Sequence, residues 1–163
     1  MTLRVQGPAQ LREARPSDVA ALATLAGELG YPATVPEMEE RLARVSSGPD
    51  HALLVAEHDA IVGWIHVVLT RSLESDECAE IRGLVVSAGH RGTGIGRQLV
   101  LAAERWAREK GCRRIRVRTN IMREHAGAFY RKLGFQPMKT QEVFDRTLDA
   151  GAVPRVDFRL KPS

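Results

Sequence analysis

Aromatic residues are scarce, since Phe, Trp and Tyr together make up only 5% of the 163 residues. Many nucleic-acid modules stack bases on aromatic side chains or carry Cys/His ligand spacings, and neither pattern is present. The net charge of +4, from 24 Lys and Arg against 20 Asp and Glu, favours a polyanionic ligand without naming one. The basic run at 113–118 is typical of a solvated strand face. A nucleic-acid binder is therefore the weaker alternative, and no nucleic-acid partner is expected.

Cysteine is also scarce, and Cys78 and Cys112 lack the C-x-x-C spacing of redox or zinc motifs. The N-terminus shows no charged-then-apolar signal peptide, so we expect two reduced structural thiols and a cytoplasmic protein. Gly63 and His66 interrupt the apolar stretch 61–69, and no run approaches the ~18 residues that span a bilayer. A membrane protein is therefore excluded.

Metal-ligand patterns are absent as well. The five histidines form neither an H-E-x-x-H nor an H-x-x-x-H arrangement. No metal site is expected. His90 and His125 lie beside the motifs described below, where surface exposure is the simpler interpretation.

In other respects the composition is ordinary for a globular domain, with 44% hydrophobic and 27% charged residues. No internal repeat, low-complexity tract or long linker divides the chain. Its length allows a substantial core without a metal or disulfide. We therefore expect one domain over residues 1–163.

Apolar residues at helical spacing predict four helices. These are expected at 19–29, 34–45, 94–110 and 124–133. Ser17 or Asp18 can cap the first helix, and Gly30 ends it. Thr34 and Glu37 stand in capping-box register at the start of the second.

Strands are predicted at 11–14, 52–57, 61–70, 79–86 and 114–118, with one or two more in the C-terminal segment. Only His58, Asp59 and Ala60 separate the second strand from the third, which predicts an antiparallel hairpin. Gly83 inside the fourth strand indicates a bulge or the close approach of another backbone. The order of elements predicts an α/β fold in which a mixed sheet carries helices on both faces.

A glycine-rich loop, Arg91-Gly92-Thr93-Gly94-Ile95-Gly96-Arg97, joins the fourth strand to the longest helix. Without Cβ atoms, its glycines allow backbone N–H groups to converge on phosphate oxygens at the positive end of the helix dipole. Arg91 and Arg97 add positive charge. The loop therefore predicts a pyrophosphate site, and a tight strand-to-helix turn is the alternative.

Two other phosphate loops do not fit these residues. The P-loop of nucleotidases requires Lys-Ser or Lys-Thr after the glycines. The dinucleotide fingerprint requires G-x-G-x-x-G and an acidic residue after the next strand, but that strand ends Arg118-Thr119-Asn120.

The segment Arg91 to Gly96 resembles the R-x-x-G-x-G/A signature of the GNAT superfamily of acyl-CoA-dependent N-acetyltransferases. Residues 126–135 resemble the family's A-x-x-x-Y-x-x-x-G-F helix and turn, and the order of elements is similar over nearly the whole chain. The resemblance implies a mostly antiparallel central sheet, splayed apart at a bulged strand. It also implies acetyl-CoA as the cosubstrate.

The resemblance assigns the cosubstrate to two segments. The backbone of Leu84, Val85 and Val86 is expected to bind pantetheine. The residues expected to bind the pyrophosphate are Arg91, Gly92, Thr93, Gly94, Ile95, Gly96 and Arg97. Relatives often carry Asn seven residues before the motif tyrosine, where this chain has Arg123. Asn120 could supply the missing polar contact, Arg123 could reach a phosphate, or both could lie on the surface.

Attack of an amine on a thioester needs a neutral amine, a stabilised oxyanion and a protonated leaving thiolate. By resemblance Tyr130 donates to the thiolate, although its ring could instead only pack under the sheet. The backbone N–H of Val86 or Val85 is the candidate for the oxyanion. Glu80 resembles the strand glutamate that acts as the base in histone-type members, whereas many relatives use an ordered water chain. The side chain could instead only be solvated, or paired with Arg82 or Arg114.

By the same resemblance, the acceptor is expected to enter from the side formed by the first two helices and their loop, residues 28–40, together with the loop before the bulged strand. Carboxylates that could attract a cationic amine lie there, unless they only cap helices and solvate the surface; they are Glu28, Glu37, Glu39, Glu40, Glu74, Asp76 and Glu77. Tyr31 and Trp64 could line the pocket. The sequence thus predicts an N-acetyltransferase for a primary amine of a small molecule or peptide. A noncatalytic acyl-CoA-binding domain is the rival, and a homodimer would be usual for the family.

Overall fold

The computed structural model describes residues 8–148, which form one five-stranded sheet and four α-helices. The strands are β1 (Gln10–Glu13), β2 (His51–His58), β3 (Ala60–Thr70), β4 (Cys78–Val86) and β5 (Ile115–Val117). The helices are α1 (Val19–Leu29), α2 (Val35–Ser46), α3 (Ile95–Glu109) and α4 (Glu124–Lys132). Residues 135–148 contain no strand, and the rest of the C-terminal segment, where further strands were predicted, lies outside the described residues.

The start of α2 has the predicted capping box. The Thr34 amide donates to the Glu37 carboxylate at 2.9 Å, and the Glu37 amide donates to Thr34 Oγ1 at 3.3 Å. Gly30 ends α1 in the left-handed conformation with φ 98°, as predicted. These local signals set the positions of both helices that cover one face of the sheet.

The start of α1 differs from the prediction. Neither Ser17 nor Asp18 caps it through a side chain, because a short 3-10 turn, Pro16–Asp18, precedes the helix. The buried Asp18 carboxylate accepts instead from the Arg15 amide at 2.7 Å and from Arg12 of β1 at 2.7 and 2.9 Å. The Arg12 guanidinium holds the pKa of the Asp18 carboxyl below its usual value. This carboxylate therefore ties the beginning of α1 to the edge strand of the sheet.

The sheet has the order β1-β2-β3-β4-β5, antiparallel except for the parallel pair β4 and β5. This confirms the expected mixed, mostly antiparallel sheet. Between β3 and β4 the register passes from His66 opposite Gly83 to Val67 opposite Ile81. Arg82 is thus the extra residue of a bulge, directly before the glycine that signalled it. A Cβ on Gly83 would lie 2.8 Å from Trp64 Cζ3, so the glycine also permits close packing.

β4 and β5 separate beyond the bulge. Within the described residues, β5 pairs only with Ala79, Glu80 and Ile81 of β4. The following residues of β4 pair with β3 alone. The sheet is therefore open between these two strands, as the family resemblance implies.

Helices cover both faces of the sheet. Ile65 and Val67 of β3 belong to the larger core with Leu99 of α3, whereas Trp64 packs with Leu22 and Leu42 of the first two helices. Strand residues alternate between the two faces, which explains this division. Both cysteines are free and buried. No helix within residues 8–148 is long and apolar enough to cross a membrane.

Candidate active site

The glycine-rich loop follows a 3-10 turn, Ala88–His90, and leads directly into α3. Gly92 has φ 75° and Gly94 has φ 87°, a left-handed conformation that L side chains adopt at a cost. A Cβ at either position would meet no atom within 4 Å. The left-handed backbone conformation therefore explains these two glycines, and the space beside them is open. The Thr93 hydroxyl donates to the His90 carbonyl and closes the turn.

The amides of this loop are unpaired. Within residues 8–148, no backbone N–H from Arg91 to Arg97 donates to a backbone carbonyl, and the first that does is Gln98, to Gly94 at 3.0 Å. Seven consecutive N–H groups are thus available where the 15-residue α3 begins. Amides so placed at a helix N-terminus favour an anion. The arrangement can hold a diphosphate, as the sequence predicts.

The third loop glycine, Gly96, has a packing role. A Cβ there would lie 3.2 Å from Phe129 Cζ and 3.7 Å from Val86 Cγ2. The beginning of α3 therefore packs closely on both α4 and the end of β4. This contact places the glycine-rich loop beside the open part of the sheet.

The open edge of β4 presents alternate backbone groups. Ser87 donates to the Val62 carbonyl at 2.7 Å, so the next hydrogen-bonded pair of this antiparallel ladder is Trp64 with Val85. The N–H and C=O groups of Leu84 and Val86 consequently point away from β3. Arg91 Nε donates to the Val86 carbonyl at 3.3 Å on that side. Of the two amides considered for the oxyanion, geometry favours Val86.

Tyr130 lies on α4 and is buried in the larger core. Its ring makes edge-to-face contacts with Phe129 and Phe135, at centroid distances of 5.0 and 5.3 Å. Burial raises the pKa of Tyr130 to about 12. The phenol therefore keeps its proton at neutral pH, as a proton donor requires.

Glu80 lies on β4 two residues before the bulge and is 3% exposed. Its carboxylate oxygens lie 3.3 Å from Arg82 Nη1 and 3.5 Å from Arg118 Nε. Arg82 was an expected partner, whereas Arg118 takes the place expected for Arg114. Glu80 is therefore a buried carboxylate between two guanidinium groups, on the part of β4 that pairs with β5.

Asn120 and Arg123 lie outside the phosphate loop. Asn120 Oδ1 accepts from the Met122 amide at 2.9 Å, which forms a local turn before α4. Arg123 Nη2 donates to the Leu29 carbonyl at 3.1 Å, and its Cζ lies 5.9 Å from the Tyr31 ring centroid. Arg123 therefore ties the start of α4 to the loop after α1. These contacts offer no support for a role of either residue in binding the cosubstrate.

A cavity of about 430 Å³ lies between α1, α2 and the bulged region of the sheet. Trp64, His66, Arg82 and Gly83 form its sheet side, so it adjoins the bulge. The Trp64 indole N–H is buried and has no hydrogen-bond partner within the described residues. Trp64 and Tyr31 line the cavity, one of the two placements expected from the sequence. No Asp or Glu of residues 8–148 lines it, including the carboxylates predicted to attract an amine.

Two histidines under the cavity were not singled out from the sequence. His51 Nδ1 lies 3.0 Å from His66 Nε2, and the two rings stack at 5.2 Å between centroids. Burial, together with the nearby His51, lowers the pKa of His66 to about 4. His66 is therefore a neutral wall of the cavity at pH 7. Only the diagonal placement of residues 51 and 66 across the hairpin could have indicated their contact.

No group of three or more His, Cys, Asp or Glu side chains within residues 8–148 is placed to share a metal ion.

Residues 19–135 match the family model described as the acetyltransferase (GNAT) family. The chain belongs to the GNAT acetyltransferase family. This confirms the family and the enzyme class that the two sequence motifs indicated. The match includes both the glycine-rich loop and the tyrosine motif.

Two curated relatives are named N-acetyltransferases. The "Uncharacterized N-acetyltransferase YjgM" of Escherichia coli K12 is 34% identical over 113 residues, which are 69% of this chain and 66% of that protein. "Aminoglycoside N(6')-acetyltransferase type 1" of Stenotrophomonas maltophilia is 28% identical over 148 residues, which are 87% of this chain and 95% of that protein. These names support the acetyltransferase class for this chain.

A solved structure supports the fold. It is AAC(6')-Iy in complex with the bisubstrate analog CoA-S-monomethyl-acetylneamine, with a TM-score of 0.78 and 17% identity. The similarity covers 87% of this chain and 100% of the other. At that identity the likeness concerns the architecture, which is the expected mixed sheet with helices on both faces.

Proposed function

We propose that the chain transfers the acetyl group of acetyl-CoA to a primary amine of a small molecule or peptide, by direct attack while both substrates are bound. The observation that carries the proposal is the row of seven unpaired amides from Arg91 to Arg97 at the start of α3. The curated relative named for an aminoglycoside supports a small-molecule amine. The same proposal places one domain over residues 1–163 in the cytoplasm.

The residues present fit acetyl-CoA. The amides of residues 91–97 would hold the pyrophosphate, with Arg91 and Arg97 exposed beside them. The outward-facing backbone of Leu84 and Val86 would bind pantetheine along the open edge of β4. Bound acetyl-CoA supplies an acetyl thioester, whose carbonyl is open to attack by a neutral amine.

Three groups of this chain then act on the reaction. The Val86 amide donates a hydrogen bond where negative charge develops on oxygen. Glu80 accepts the proton that the amine loses, either directly or through ordered water. The Tyr130 hydroxyl donates its proton to the departing thiolate. The raised pKa of Tyr130 keeps that proton in place until the thiolate forms.

Release of free thiol from acetyl-CoA tests the proposal directly. We expect thiol release from the full chain only when both acetyl-CoA and a suitable amine are present, measured with a thiol-reactive dye over a panel of primary amines. Calorimetric binding of acetyl-CoA without turnover of any amine would favour the noncatalytic acyl-CoA-binding domain. Salt-sensitive binding of DNA or RNA without binding of coenzyme A would favour a nucleic-acid protein.

The Glu80→Gln variant tests the base. Loss of a proton acceptor should lower kcat about 100-fold at pH 7, in the range usual for general base catalysis. The deficit should shrink as rising pH supplies more neutral amine. The affinity for acetyl-CoA, measured by calorimetry, should stay unchanged. Glu109→Gln, an exposed substitution in the last turn of α3, is the control. An unaltered pH–rate profile in Glu80→Gln would assign proton removal to water alone.

A further inference from the structure

The cavity beside the bulge has a mainly apolar wall. Leu22, Met38, Leu42 and Leu53 contribute from α1, α2 and β2, and Trp64 contributes from β3. Its volume of about 430 Å³ suits one small molecule. Such a wall favours an acceptor with an apolar body, because burying apolar surface stabilises binding by about 25 cal/mol per Å².

The charged groups at the cavity are cationic. Arg41 of α2 and Arg82 of the bulge line it, and His66 is neutral. Arg82 already has Glu80 at 3.3 Å. Arg41 has no carboxylate within ion-pair distance in the described residues, because Glu37, one turn earlier on α2, accepts from the Thr34 amide. Arg41 is therefore the cation available to a ligand.

We propose that this cavity binds an acceptor whose primary amine is carried on an apolar body with a carboxylate, and that Arg41 receives the carboxylate. The inference rests on the proposed acetyl transfer and names its substrate class. A polycationic amine meets the opposite conditions here. It would place several ammonium groups against an apolar wall and two guanidinium groups, with no lining carboxylate to compensate them.

Three amines of similar or greater length test this specificity. They are 4-(aminomethyl)benzoate, 4-methylbenzylamine, which replaces the carboxylate by a methyl group, and the polycation spermidine. We expect kcat/KM to be about tenfold higher for 4-(aminomethyl)benzoate than for 4-methylbenzylamine, and lowest for spermidine. A preference for spermidine, or equal values for the first two amines, would overturn the inference.

Substitution at Arg41 assigns the selectivity to one side chain. Arg41→Gln should lower kcat/KM about tenfold for 4-(aminomethyl)benzoate and leave that for 4-methylbenzylamine within twofold. Arg44→Gln is the matched control, because Arg44 lies one turn later on α2 and does not line the cavity. Equal losses for both amines in Arg41→Gln would contradict a carboxylate contact.

Binding without catalysis separates this inference from the proposed function. Calorimetry of 4-(aminomethyl)benzoate with the full chain and saturating CoA should show binding that Arg41→Gln weakens about tenfold. That result supports the inference even if no amine is acetylated, which would defeat only the proposed reaction. Absence of binding in wild type, or unchanged binding in Arg41→Gln, overturns the inference whether or not other amines are acetylated.

Discussion

Gly94→Glu should weaken acetyl-CoA binding by at least about 100-fold, measured by calorimetry on the full chain. Gly94 is the residue immediately before α3, with φ 87° and open space where a Cβ would stand. A carboxylate there would lie among the unpaired amides that are proposed to hold the pyrophosphate. Two unit charges of like sign 4 Å apart repel by about 4 kcal/mol near a protein surface, and 100-fold in Kd corresponds to about 2.7 kcal/mol.

The same helix offers a matched control for this variant. Gly111 follows the C-terminal end of α3 with φ 83°, and a Cβ there also meets nothing within 4 Å. Gly111→Glu therefore imposes a similar backbone strain of about 1–2 kcal/mol, because both residues are left-handed. It should lower the unfolding temperature as Gly94→Glu does and leave the Kd for acetyl-CoA unchanged. Equal Kd values in Gly94→Glu and wild type would disprove the loop assignment.

Tyr130→Phe should lower kcat about 100-fold while the Kd for acetyl-CoA changes by less than twofold. The substitution removes only the hydroxyl, whose pKa of about 12 keeps it protonated, and leaves the ring against Phe129 and Phe135. Loss of a general acid typically costs 10²–10⁴-fold in rate. Steady-state thiol release with a saturating amine measures kcat, and calorimetry measures Kd.

Thermal unfolding distinguishes this role from a packing role. If the Tyr130 ring only fills the core, Tyr130→Phe retains its contacts and kcat should be unaffected. Phe135→Leu supplies the complementary comparison, because it disturbs the ring that packs edge-on against Tyr130 without touching the hydroxyl. We expect Phe135→Leu to lower the unfolding temperature more than Tyr130→Phe does, since it removes aromatic surface that packs against the larger core. A Tyr130→Phe enzyme with wild-type kcat would rule out the hydroxyl as the proton donor.

Helices and turns were predictable where a few neighbouring residues carry the signal. The capping box of Thr34 and Glu37 and the terminal Gly30 occur as their spacing predicts. Asp18 shows the limit of such reasoning. Its carboxylate could have capped α1, but Arg12 on a neighbouring strand donates two hydrogen bonds to it. Paired hydrogen bonds from a guanidinium to a carboxylate are stronger than one from a neutral backbone amide.

Some features of the candidate site could be predicted from the sequence, and others could not. The left-handed Gly92 and Gly94 follow from the motif, because glycine adopts that conformation without strain. The choice of Val86 over Val85 for the open edge depended on the phase of the ladder with β3, which Ser87 and Val62 reveal. The sequence of a strand does not indicate which of its backbone amides are hydrogen-bonded to the neighbouring strand.

The bulge in β4 was likewise predictable only in part. Gly83 marked the place, yet the register with β3 shows that Arg82 is the additional residue. Glycine signals a local irregularity, whereas the residue that is left over depends on how the partner strand aligns. That alignment also brings Trp64 over the glycine.

By itself, the sequence determined the family, the glycine-rich loop and the order of helices and strands within residues 8–148, because each depends on residue types at short, fixed spacings. Only the tertiary structure decided which residues line the cavity where the acceptor is proposed to bind. Its wall is formed by residues of α1, α2, β2, β3 and β4. As these elements pack, Arg41 and His66 line the cavity, and the carboxylates nearby in the sequence do not. A charged residue that is near a site in the sequence lines that site only if the packing of helices and strands places its side chain there.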